Sequence, residues 1–345
     1  MIRPKTTVVL ALVLTGTYCQ WASADPPPTV QPPASEQRIR QSIERALPLL
    51  ETASAETAGR RKCFTCHGQG LPSVVFVQAR KHRFDVDTAN IGRQLDHTYA
   101  HLKRSKERYA DGRGTGGQVD TAGWALWGLK TGNRFPDDVT DAVVSYLLGR
   151  QREDGRWACS SNRPPSEKSD FTTTWLALRG LESFGRESDD KEIAAAKHKA
   201  HQWLESAVAE DTEDHVFQLL SLPYGASDDR TDQLTAKLIK QQRPDGGWAQ
   251  RSDMDSDTYA TATVLYALAE GGMAVTDSVY LDGIEFLLSR QRDDGSWYVK
   301  SRSKPFQTYF ETGYPHQEDQ FISMTAACWA TIVLMHALPD EKPSG

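Results

Sequence analysis

The pattern Gln-x-x-Asp-Gly-x-Trp occurs three times, as Gln151–Trp157, Gln242–Trp248 and Gln291–Trp297. Each copy follows an amphipathic segment such as 137–150 or 277–290. The second and third copies are 49 residues apart and the first and second 91, close to two units, so one copy has been lost in between. A repeat of this length means that one supersecondary unit is stacked several times, each unit burying its apolar face on its neighbour. Within each copy Asp-Gly makes the tight turn that ends a helix, and Gln and Trp reach the adjoining unit by hydrogen bonding and stacking.

A second repeat is interleaved with the first: residues 119–129, 171–181, 258–268 and 323–334, rich in Ala and Thr and apolar nearly all round. Helices of that kind are buried on every side. Laid along the chain, the two patterns predict outer and inner helices in alternation: 35–53 with 71–82, 88–109 with 119–131, 137–151 with 170–183, 190–208 with 214–222, 231–242 with 256–270, and 277–290 with 319–337. The fold class is therefore all-α, about six helical hairpins arranged in a ring. Most outer-to-inner links are long and carry the motifs, so they gather on one rim, together with the positive ends of the inner helices. Asp120, Asp170, Asp214 and Asp257 each open an inner helix, as caps or as part of a polar site at a common mouth. Tyr259, Tyr309, Phe310, Tyr314 and Phe321 are candidate pocket aromatics for an apolar or carbohydrate ligand, whereas Trp124, Trp127, Trp175 and Trp329 read as core.

These motifs, from about residue 35 onward, resemble the α/α toroid of squalene-hopene cyclases and protein prenyltransferase β subunits. The stretches beginning at Asn162, Glu213, Gln241 and Pro305 are similar to an exported bacterial family of prenyltransferase or squalene-oxidase repeat proteins, which often carry CxxCH near the start. The cyclase resemblance implies a DxDD acid whose middle Asp protonates an alkene or epoxide. The best match is Asp255-Ser256-Asp257-Thr258, with Asp257 in the acid position, Asp255 beside it and Thr258 replacing the last Asp. The alternative is a solvated loop in which Asp257 caps the following helix. The ligand pattern of the prenyltransferase zinc is not repeated.

Residues 1–24 read as an export signal: Arg3 and Lys5, a short apolar run, then Ala22-Ser23-Ala24. Residues 25–34 read as a proline-rich tether and 35–345 as the toroid. Periplasmic or secreted localisation follows, with no membrane span. Losing Arg3 and Lys5 takes the formal charge from −6 to −8, which leaves no basic balance to favour nucleic acid.

Export also bears on Cys63, Cys66 and His67, which spell CxxCH. Two thiols joined to haem vinyl groups and a histidine on the iron form a haem c site, with a redox partner implied. A zinc site and a disulfide are the alternatives. No Met follows His67 until Met254, so the second axial ligand has to come from elsewhere. If the ring closes, the link before the last inner helix lies on the CxxCH rim, making His316 the expected partner of His67 as haem or metal ligand. Glu311, Glu318 and Asp319 would orient its imidazole. His97 and His101 read as surface residues. The two functional expectations are a haem-binding toroid with a small-molecule or lipid-like cavity ligand, and a non-redox toroid that binds or cyclises an isoprenoid-like or glycan-like molecule.

Overall fold

The structure, a computed structural model, describes residues 35–222, 228–304 and 308–339. The leader and tether expected over 1–34 lie outside the described residues. Among the described residues the chain is helical, with one isolated bridge, Arg163 to Glu167, and no strand. The helices are α1 (Glu36–Arg60), α2 (Leu71–Lys81), α3 (Thr88–Arg104), α4 (Lys106–Ala110), α5 (Gln118–Thr131), α6 (Asp138–Arg150), α7 (Asp170–Phe184), α8 (Asp190–Ser206), α9 (Thr212–Ser221), α10 (Asp228–Lys240), α11 (Thr258–Glu270), α12 (Ser278–Arg290) and α13 (Gln320–His336). None of them is long and apolar enough to cross a membrane.

Helices α2, α5, α7, α9, α11 and α13 pack neighbour on neighbour, and α13 packs back on α2. They are the expected inner ring. The outer helices are α1, α3 with α4, α6, α8, α10 and α12, and α1 meets α12 where the circle closes. The expected helices all form, with boundaries shifted by a few residues: α1 runs on to Arg60, α9 begins at Thr212 and α10 at Asp228, and the helix expected over 88–109 is broken into α3 and α4.

Each motif copy acts as a staple between outer helices. The indole N–H of Trp157, Trp248 and Trp297 donates to the carbonyl of Leu147, Leu238 and Leu287, the residue ten back in the same hairpin. The amide of Gln151, Gln242 and Gln291 bridges its own turn and the next outer helix, donating to Ala196 O at 2.7 Å, Val279 O at 2.8 Å and Ser42 O at 2.9 Å. The turn glycines Gly155, Gly246 and Gly295 have φ of +98°, +81° and +86°. A Cβ there would strike the carbonyls of Lys199, Asp282 and Arg45, so both the conformation and the close approach demand glycine. The third staple joins α12 to α1 and closes the ring, assisted by the Arg38–Glu285 ion pair at 2.8 Å.

In the hairpin that has lost its copy, the side chain of Gln218 on α9 donates to Leu204 O at 2.7 Å and takes over the role of the indole. The link that remains between α8 and α9, residues 207–211, is short.

The centre of the ring is filled. Trp124, Trp127, Trp175, Trp329, Phe217 and Tyr266 form one aromatic cluster with centroids 4.9–6.5 Å apart. All are buried. Removing one such ring costs about 3–5 kcal/mol.

Candidate functional site

The N-terminal ends of the inner helices meet at one mouth, where the outer-to-inner links also touch one another. Ser303 on the α12–α13 link donates to Pro164 O on the α6–α7 link, and Arg302 donates to Gln250 at 2.7 Å. Asp120, Thr172 and Tyr259 are the second residues of the repeats 119–129, 171–181 and 258–268, and therefore hold the same register in three helices. Glu213 of α9 joins them. It accepts from the hydroxyl of Thr172 at 2.8 Å and of Tyr259 at 3.0 Å, and it is buried. Burial drives its carboxyl well above the usual carboxylate range. Asp120 is buried too, accepting from the Thr173 hydroxyl and, at 3.2 Å, from the Cys159 thiol. Burial pushes it up to about 7. Both acids are held toward the protonated form by desolvation, with only neutral donors beside them.

Cys63, Cys66 and His67 lie in the turn from α1 to α2, where Cys66–Gly70 make a single wide helical turn. Both cysteines are free thiols, so the disulfide alternative is absent from this structure. Cys63 is exposed, whereas the Cys66 thiol donates inward to Glu167 at 3.2 Å. The His67 ring packs on Phe321 of α13 with centroids 4.8 Å apart. Its Nε2 is buried without a partner, and burial lowers the imidazole to about 4, so it is neutral. A free neutral imidazole nitrogen suits a metal ligand. The space does not suit a haem: the chamber bounded by His67, Arg163, Glu167, Ser303, Phe321 and Thr325 holds about 70 Å³, against roughly 300 Å³ or more for ordinary ligand pockets. Cys63 is exposed and does not line it. The arrangement does not fit a haem bound through both thiols, and no group of three or more metal-binding side chains occurs among the described residues.

His316 shares no contact with His67. It sits at φ +86° with Nε2 2.9 Å from the Ser296 hydroxyl, between Tyr298 and Tyr314. Glu318 is exposed, Glu311 is engaged by the exposed Tyr309, and Asp319 accepts from Tyr298 and from the Ser301 N–H, both at 2.8 Å. His101 is buried against Phe64 rather than at the surface, and His97 contacts the Cys63 carbonyl at 3.2 Å.

Residues 201–344 match the squalene-hopene cyclase C-terminal domain family. A lanosterol synthase of Aspergillus fumigatus is 34% identical over 125 residues, 34% of this chain but only 16% of that enzyme. Among solved structures, the type II terpene cyclase MstE from Scytonema aligns over 88% of this chain and 99% of its own with a TM-score of 0.57 at 14% identity. This chain has the α/α-toroid fold found in type II terpene cyclases. The same ring occurs in a glycosidase solved in complex with glucose, at 13% identity over 87% of this chain and 99% of that one, with a TM-score of 0.54.

Within this toroid the DSDT stretch has a structural role. Asp257 is the N-cap of α11, accepting from the Ala260 N–H at 3.0 Å, and burial raises it to about 6. Asp255 is exposed. Of the other rim aspartates, Asp170 accepts from the Cys159 N–H at 2.8 Å and pairs with Arg156 at 2.9 Å, while Asp214 accepts from the Ser169 hydroxyl at 2.6 Å. The caps of their helices are Ser169 and Asp211.

Two cavities open on the toroid's lip, one on each side of the short α8–α9 link. The first, about 400 Å³, has Glu213 in its wall with Phe171, Trp203, Lys168 and Asp214 around it. The second, about 290 Å³, is bounded by Gln241, Arg243 and His215, and shares Glu210 and Asp211 with the first. Sequence reasoning missed Glu213, Glu167, Cys159 and His215. The signal for Glu213 was available, because aligning 212–222 with the other inner helices puts it level with Asp120 and Tyr259.

Proposed function

We propose that this chain is an exported, non-redox toroid that binds a small molecule at its mouth and acts on it through carboxylic acids kept protonated by burial. The observation that carries this reading is Glu213: buried, hydrogen-bonded only by neutral hydroxyls, raised well above the carboxylate range, and lining a cavity of about 400 Å³. A carboxyl in that state donates a proton at neutral pH, as acid catalysis of a glycosidic or an alkene-type centre requires. The ring is compatible with either substrate class. Its neighbour MstE was solved with geranylgeranyl dihydroxybenzoate, and another neighbour with glucose. The aromatic filling of the centre leaves a long polyene little room on the axis, which favours the lip cavity as the working site. Turnover of saccharide and prenyl-diphosphate panels by wild type, Glu213→Gln and Asp120→Asn tests this. Glu213→Gln is expected to fold normally and lose at least a hundredfold in rate; unchanged turnover of an accepted substrate would remove the acid from the mechanism.

A second reading, haem c on Cys63, Cys66 and His67 with a redox partner, is favoured by one observation, the unpartnered Nε2 of His67. It requires the segment carrying Arg163 and Glu167 to leave the mouth. Production alongside haem c maturation machinery tests it by absorption spectrum and intact mass. A covalent haem whose spectrum shifts in His316→Ala and not in His97→Ala would displace the non-redox reading.

A further inference from the structure

We propose that the paired lip cavities form a binding site for a neutral saccharide of two rings, one ring stacked on Trp203 beside Glu213 and the next held by His215 and Gln241. This rests on the acid reading above and names its substrate class.

The site lies at a hairpin that carries no motif turn. After α6, α10 and α12 a Gln-x-x-Asp-Gly-x-Trp turn and its close-packed glycine sit against the next outer helix of the ring. Between α8 and α9 a short link stands in place of the turn, Gln218 donates to Leu204 O across the hairpin, and the groove opens beside that link.

The half-buried Trp203 forms an aromatic wall with Phe171, their centroids 4.6 Å apart. A flat apolar face flanked by hydroxyl-bonding groups matches a pyranose, whose axial C–H groups pack on the ring while its hydroxyls point sideways. Carboxylates stand on the flank: Asp214 and Asp211. Of the two cations in the lining, Arg156 is paired with Asp170 and Lys168 stands among Glu210, Asp211 and Asp214, so the groove lacks a surplus of positive charge and does not select an anionic ligand.

The second cavity carries the independent observation. His215 is 4% exposed, its Nδ1 lies 2.7 Å from the Asp211 carbonyl, and its Nε2 has no partner. Since Nδ1 must donate to that carbonyl, Nε2 is left as an acceptor. Gln241 Oε1, in the same cavity, is a second buried acceptor without a partner. Two unmet acceptors call for a ligand rich in hydroxyl donors. The cavities share Glu210 and Asp211, so a single ligand can span both.

Saturation-transfer NMR and calorimetry on the purified protein would use cellobiose, maltose, mannobiose and chitobiose with their monosaccharides, and geranylgeraniol for comparison. At least one disaccharide is expected to bind ten times more tightly than its monosaccharide, with at least tenfold weakening in Trp203→Ala. Val208→Trp guards against a folding defect in that variant, because Val208 is 84% exposed on the groove edge and its replacement blocks the groove without touching the core. His215→Phe should weaken the disaccharide and spare the monosaccharide. Absence of saccharide binding, or binding indifferent to both Trp203→Ala and Val208→Trp, overturns the site. If a saccharide binds as described yet Glu213→Gln leaves its turnover unchanged, the site stands and the acid reading fails.

Discussion

At the residue scale, aspartates that look alike in the sequence do different work. Asp257 and Asp120 each open an inner helix, but Asp257 caps backbone whereas Asp120 is enclosed and faces Thr173 and Cys159. Spacing alone cannot separate these roles, because burial is set by residues distant in sequence: Cys159 is 39 positions from Asp120. Their variants should differ accordingly. Asp257→Ala is expected to cost about 1 kcal/mol, the usual value of a cap, and Asp257→Asn much less, since Asn also caps. Asp120 contributes a pH dependence instead. An unfolded Asp releases its proton near pH 4, and in the fold this one holds it to about 7. Between those values the folded state binds more protons, so stability falls as pH rises through the window and levels off above it. In urea titrations at pH 5 and pH 8 the stability difference between the two proteins should shift in favour of Asp120→Asn at the higher pH, while Glu213, Asp257 and the buried neutral histidines set the slope common to both. An equal change in both proteins would show that Asp120 is not held neutral.

At the element scale the repeat patterns located every hairpin, because the physical demands on inner and outer helices differ: an inner helix is apolar all round, an outer one along a stripe. Boundaries were less legible. The expected start of α9 at 214 fell two residues late, since Thr212 and Glu213 look like loop residues until their partners Ala249, Thr172 and Tyr259 are known. That small error hid the residue at the centre of the proposed chemistry. The staples carry the second prediction. Gln291→Ala removes the bonds to Ser42 O and Gly295 O and should cost about 1–3 kcal/mol. Gly295→Ala should cost more, because it adds a left-handed alanine and a collision with the Arg45 carbonyl. Urea midpoints check the order, and a Gly295→Ala midpoint equal to wild type would mean that the turn relaxes freely.

At the scale of the whole molecule, ring closure distinguishes this chain from an open stack of helical hairpins. In an open array a terminal repeat contributes only its own stability and one interface, so its removal trims the array and leaves the rest folded. Here α1 is at once the first element and the partner of the last. It receives the amide of Gln291 and the ion pair from Glu285, and it packs on α13. Removing it exposes apolar surface on both sides of the closure and leaves the last staple without a seat. The sequence contains a hint of this, since the third motif copy lies at the end of the repeats with no later outer helix to clasp. Its partner, 249 residues away, follows only if the array is bent into a circle. A chain beginning at residue 62 is therefore expected to lose the single cooperative unfolding transition of the full chain and to bind a dye for exposed apolar surface, with a smaller urea m-value. An open array would behave differently: the shortened chain would keep a sharp transition, at a midpoint lowered only by the loss of one repeat.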